Sequence, residues 1–121
     1  TASGDVANKI GTYPVALAAA DNGVPFWVAA PSPSIDWDLT EGAAIPIEER
    51  EEDEVTEVSG RARDGRMVAV RVANPGSGAA NFAFDVTPAR LVTGFVTERG
   101  LCPATTEGLA GLFGDPGDDP G

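Results

Sequence analysis

The sequence predicts an α/β fold, with parallel strands and flanking helices, that is incomplete in this chain. Three observations predict it. Residues 12–21 read as a short alanine-rich helix entered through a glycine-containing loop. Pro25 to Ala30 is a continuous apolar run without alternation, the pattern of a parallel strand covered on both faces. The strand that should feed the loop of such a β-α-β unit is absent, because Thr1 lies only a few residues before the motif. The expectation is that the chain begins inside a supersecondary unit and is one piece of a larger protein.

The elements follow in order. In Gly4-Asp5-Val6-Ala7-Asn8-Lys9-Ile10-Gly11-Thr12-Tyr13, Thr12 is placed to cap the helix by accepting from a first-turn amide. Pro14 suits the first turn, where its missing N–H costs nothing. The free amides and positive dipole end favour an anion, and Lys9 adds a full charge, so the loop reads as a phosphate or sugar-phosphate cradle. An ordinary capped helix start explains the same residues. Asn22-Gly23 ends the helix. Trp27, inside the apolar run, is expected in the core. Pro31-Ser32-Pro33-Ser34 lies at the carboxyl edge of that strand, where open α/β sheets bind ligands, and should face one cleft with Asn8 and Lys9. Ser32 and Ser34 read as turn residues beside proline before phosphate donors.

Residues 35–44 form an irregular connection, and Ile45-Pro46-Ile47 a short edge strand. Glu48 to Glu54 holds six acidic residues and Arg50, the signature of a solvated face. Val55-Thr56-Glu57-Val58 and Met67 to Val72 alternate around Asp64-Gly65, a hairpin turn signal, with Val68, Val70 and Val72 facing inward. Ala73 to Ala80 is a loop. Asp85-Val86-Thr87-Pro88 reads as a second helix entry with Thr87 as cap; Asp85 caps backbone groups in preference to holding a loop at the mouth of a site. Leu91, Val92 and Phe95 pack inside, and Thr97 to Gly100 is a polar exit. A last short helix covers 105–113 with Leu109, Leu112 and Phe113 on one side. One domain thus spans 1–113, and 114–121 is an acidic, disordered tail.

Composition excludes several classes. The 42% hydrophobic content supports a core, and 121 residues allow one domain at most. A net charge of -11 argues against nucleic acid, which needs clustered cations. It also requires any anionic ligand to be held by local groups. With no histidine and one cysteine, Cys102, neither a soft metal site nor an internal disulfide can be built, and no cofactor is expected. Magnesium or calcium would need a carboxylate loop whose spacing is not found. No apolar run approaches the ~20 residues of a membrane span, and no signal peptide opens the chain, so a cytoplasmic protein is the default.

The wording of Asp5 to Tyr13 resembles the signature of the methylthioribose-1-phosphate isomerases, which form a superfamily with the initiation factor 2B regulatory subunits and the ribose-1,5-bisphosphate isomerases. Three later segments match in the same order: Val24 to Pro31, Ile45 to Arg50, and Phe84 to Pro88 followed by Thr97 to Gly100. The likeness covers positions 1 to about 101. One departure is Phe82 after Asn81, where the family has proline. The resemblance implies the carboxyl-terminal portion of a Rossmann-like isomerase domain. It implies an aldose-to-ketose isomerisation of a sugar phosphorylated at its anomeric carbon, within methionine salvage. The family's catalytic cysteine and aspartate would lie before Thr1: Cys102 does not correspond to the former, and Asp5 matches a later, non-catalytic acid. Asn8 and Lys9 match the substrate-contacting pair. The chain alone would then be inactive, completed by an amino-terminal part in the same polypeptide or a separate one, and would form a homodimer. A non-catalytic regulatory domain like the initiation factor 2B subunits and a ribose-1,5-bisphosphate isomerase are the alternatives, as is a small acidic interaction module.

Overall fold

The computed structural model describes residues 1–114; the acidic tail expected from Gly114 onward lies, past that residue, outside them. The strands are β1 (Val6–Lys9), β2 (Trp27–Ala29), β3 (Glu57–Arg61), β4 (Met67–Arg71), β5 (Phe84–Thr87), β6 (Gly94–Thr97) and β7 (Gly100–Pro103). The helices are α1 (Thr12–Asp21), α2 (Asp53–Thr56) and α3 (Thr106–Phe113), with short 3-10 turns between them. The chain forms two compact units, residues 47–83 and the remainder on either side.

The larger unit has two sheets. A strand does precede the turn into α1, where the sequence reading expected none: β1 pairs antiparallel with β5, with Asn8 opposite Asp85. β2 pairs parallel with β6, which pairs antiparallel with β7. The predicted parallel strand is therefore present, but it is the only parallel pairing among the described residues, and the architecture is mixed where a mostly parallel sheet was expected. β2 is also an edge strand. Trp27 is 47% exposed instead of lying in the core, because no strand among the described residues covers its outer side.

The core lies under β6, β7 and α3. Val92, Phe95, Cys102, Ala104 and Leu109 are buried together, with Phe26, Val28 and Trp37 against them. Trp37 meets Phe113 edge to face at 5.4 Å, and the Arg99 guanidinium lies 5.1 Å from the same ring. α3 begins where expected: the Thr105 hydroxyl accepts from the Gly108 amide at 3.0 Å. α1 spans the predicted residues, and Asn22 ends it by donating from its side chain to the Ala18 carbonyl, followed by Gly23 at φ 66°.

Two further predictions in this unit fail. Asp85 to Pro88 is not a helix entry: Phe84–Thr87 is strand, and only a 3-10 turn follows at Ala89–Leu91. Threonine followed by proline suits both a strand end and a helix start, and pairing with β1 decides for the strand. The polar exit at Thr97 to Gly100 is a tight β-hairpin. Thr97 donates its hydroxyl to the Gly100 carbonyl and accepts from the Arg99 amide.

The smaller unit contains the predicted hairpin, β3 against β4 around Asp64-Gly65, with Gly65 at φ 88°. Its start differs from expectation, since Val55 and Thr56 close the helical turn α2 and the strand begins at Glu57. Thr56 is buried, and its carbonyl accepts from the Val72 and Ala73 amides. The valines do not face a core: Val70 is 52% and Val72 62% exposed, because a two-stranded ribbon has no second layer. Ile45-Pro46-Ile47 is likewise no strand; Ile45 closes a 3-10 turn at Gly42–Ala44. The acidic run is solvent-exposed as expected, and Arg50 pairs with Glu54 at 2.6 Å.

Candidate functional site

In the larger unit a cavity of about 630 Å³ opens between β1, the start of α1 and the end of β2. Asn8 and Thr12 line one side; Trp27 to Pro31 and Ser34 line another; Asp5, Asp36 and Thr97 add polar groups. The predicted shared cleft is therefore present for Asn8 and the loop after β2. Lys9 is not among the lining residues. Val6, Ala7 and Asn8 line the cavity in succession, so the lining stops one residue short of Lys9, the last residue of β1. Lys9 is exposed at the strand's end, at the lip of the turn into α1.

The turn is built differently from the expected cap. The Thr12 hydroxyl does not accept an amide; it donates to the Lys9 carbonyl at 2.7 Å. The cap comes from a distant strand. The Asp85 carboxylate accepts from the Gly11 amide at 2.8 Å and from the Tyr13 amide at 3.1 and 3.2 Å. Gly11 turns at φ 107°, a left-handed conformation that glycine adopts without strain. Asp85 is indeed a backbone cap, though for α1 instead of a helix of its own. The anion at the helix's positive end is thus the protein's own carboxylate.

Two other acids hold the rim in the same way. Asp5 accepts from the Gly42 amide at 2.7 Å and the Ala89 amide at 2.8 Å, tying together backbone segments far apart in sequence. Burial would raise its carboxyl, but these amides outweigh that effect and hold it below the usual carboxylate value. Its work is structural, as expected. Glu98, which sequence reasoning missed as a site residue, accepts from the Ser32 amide at 2.9 Å and fixes the loop after β2. Hydrogen bonds from Ser32 hold the Glu98 carboxyl below its ordinary value. The signal for it was the Glu98-Arg99 pair, set as a two-residue turn between apolar strands. Cys102 lies in the core, 5% exposed, and burial pushes its thiol up.

The profile of the Initiation factor 2 subunit family matches residues 1–104. The chain belongs to that family. Within it, the chain is 66% identical over 116 residues to methylthioribose-1-phosphate isomerase of Rhodospirillum centenum, covering 95% of this chain and 31% of that protein. The Acidiphilium cryptum isomerase is 61% identical over 116 residues, covering 95% and 32%. Among solved structures, 5-methylthioribose 1-phosphate isomerase of Pyrococcus horikoshii is similar with a TM-score of 0.76 and 44% identity, over 93% of this chain and 29% of that one. The delta subunit of translation initiation factor eIF-2B from A. fulgidus has a TM-score of 0.71 and 34% identity, over 89% and 29%. The chain therefore spans about three tenths of the length of the relatives it matches. The expected membership and the broad α/β class are borne out, with a mixed arrangement of strands in place of the mostly parallel one expected.

Proposed function

We propose that this chain is the carboxyl-terminal part of an aldose–ketose isomerase that converts 5-methylthioribose 1-phosphate into 5-methylthioribulose 1-phosphate in methionine salvage. The observation that carries the reading is the 61–66% identity to proteins named as that isomerase, against 34% to the eIF-2B delta subunit. That difference favours the enzyme over a non-catalytic regulatory domain.

The reaction needs one group to move a proton between neighbouring carbons and another to handle the sugar oxygens. In this reading those groups, a cysteine and an aspartate, come from the amino-terminal part, and no cofactor is needed. Asn8, in the cavity lining, offers donor and acceptor to a sugar hydroxyl. Lys9, at the lip, holds the phosphate as a point charge. The pair grips two parts of one ligand at the strand end. The same reading makes the β2–β6 pair the rim of a larger, mostly parallel, Rossmann-like sheet completed by the rest of the protein. What supports it is the outer edge of β2, which no strand among the described residues pairs, and the exposed Trp27 on that strand. A cytoplasmic homodimer completes the proposal.

The test is steady-state kinetics of the full-length protein with and without Lys9→Ala. The substitution should lower kcat/KM at least about tenfold through loss of a charge-assisted contact. A value within about twofold of wild type removes Lys9 from the site. The 121 residues alone should show no turnover, and turnover by them would overturn the shared-site reading.

A further inference from the structure

We propose that Asp85 is the positioning residue of the substrate loop: from β5 it fixes the turn that carries Asn8 and Lys9, and it fills the anion position at the start of α1. This rests on the isomerase reading above and names how that site is held in shape.

Three observations converge. Asp85 stands directly opposite Asn8 in the β1–β5 register, so the two side chains share a face with Cβ atoms about 5 Å apart. Its carboxylate takes the amides on both sides of Thr12, Gly11 at 2.8 Å and Tyr13 at 3.1 Å. Thr12 in turn holds the Lys9 carbonyl at 2.7 Å. Every backbone group from Lys9 to Tyr13 that these bonds reach is thereby referred to one carboxylate on a neighbouring strand. The consequence is chemical as well as geometric. The amides of Gly11, just before α1, and of Tyr13 in its first turn are already engaged, so a phosphate arriving at this lip meets the Lys9 ammonium and not those two amides.

The experiment compares full-length wild type, Asp85→Ala and Asp85→Asn with 5-methylthioribose 1-phosphate, at a temperature where circular dichroism shows each folded. Asp85→Ala should lower kcat/KM about a hundredfold, the cost of a misplaced binding group. Asp85→Asn keeps one accepting oxygen and should recover about tenfold of that loss. A simple helix cap would lower the melting temperature and leave the folded enzyme's kinetics alone; kcat/KM within about twofold of wild type in folded Asp85→Ala overturns the proposal. Should Asp85→Ala not fold, Asp85→Asn decides by the same twofold limit against its expected tenfold loss. If wild type turns over no substrate, the isomerase reading fails. Amide exchange at Gly11 and Tyr13 then decides this proposal: at least about tenfold faster exchange in Asp85→Asn supports it, and unchanged exchange overturns it.

Discussion

The two compact units differ in how far their acidic side chains reach: in the smaller one the bond to a remote backbone amide is that of Glu52 with Ala79, 27 residues away. In the larger unit, Asp5, Asp85 and Glu98 turn inward to backbone amides 37 to 84 residues away. Each bond joins segments that the chain brings together only by folding. In the smaller unit, the ion pairs are local and solvent-facing: Arg50 with Glu54 four residues on, and Arg66 with Asp64 across the hairpin tip. A carboxylate accepting an amide at a distance fixes tertiary geometry, whereas an exposed pair adds little. A net charge of -11 is therefore compatible with a well-defined cavity, because the acids that shape it are spent on the backbone.

Glycine substitutions give the largest expected contrast. A Cβ on Gly94 would lie 2.5 Å from the Cys102 carbonyl oxygen and 2.6 Å from the Trp27 ring. Gly94→Ala should cost about 3 kcal/mol by denaturant titration of the full-length protein, since backbone on β7 cannot yield. Gly60, on β3 of the smaller unit, has nothing within 4 Å of its ideal Cβ. Gly60→Ala should change stability by at most about 0.5 kcal/mol in either direction. Equal costs at the two sites would erase the difference between a packed sheet and an uncovered ribbon.

Asp5 comes next. Its folded carboxyl is held below the ordinary value, so its contribution is present above the unfolded carboxylate range. That contribution is lost as pH falls through the folded value, on the acid side of the ordinary carboxylate range. Asp5→Asn should cost about 2 kcal/mol at neutral pH by leaving amide geometry imperfect at Gly42 or Ala89. The gap from wild type should close on acidification, and an unchanged gap at pH 3 would show that charge has no part in it. The smallest effect is expected in the smaller unit, where Arg50→Ala should leave the unfolding midpoint unchanged within error. A clear loss there that disappears at high salt would show its ion pairs to be structural.

Much of this was legible locally. The bounds of α1, the hairpin at Asp64-Gly65 and the face of α3 follow from caps, turn residues and helical spacing, all contained within a few residues. What was not legible depends on partners remote in sequence. Thr12 looks like a cap because nothing nearby shows that Asp85, more than 70 residues on, supplies one. Val68, Val70 and Val72 alternate as a buried strand would, yet alternation does not reveal whether a second layer exists. Lys9 and Asn8 read as a pair in the motif, yet the cavity lining stops at Asn8. β6 and β7 were missed because four-residue strands separated by Glu98-Arg99 leave almost no periodic signal.

The two indoles divide the larger unit between them. Trp37 is shut against the Phe113 ring, whereas Trp27 lines the cavity and rests on Gly94 with nearly half its surface in water. Light absorbed by these rings thus samples two different environments. The fluorescence of one follows the integrity of the interior, and that of the other follows whatever displaces solvent from the cavity mouth.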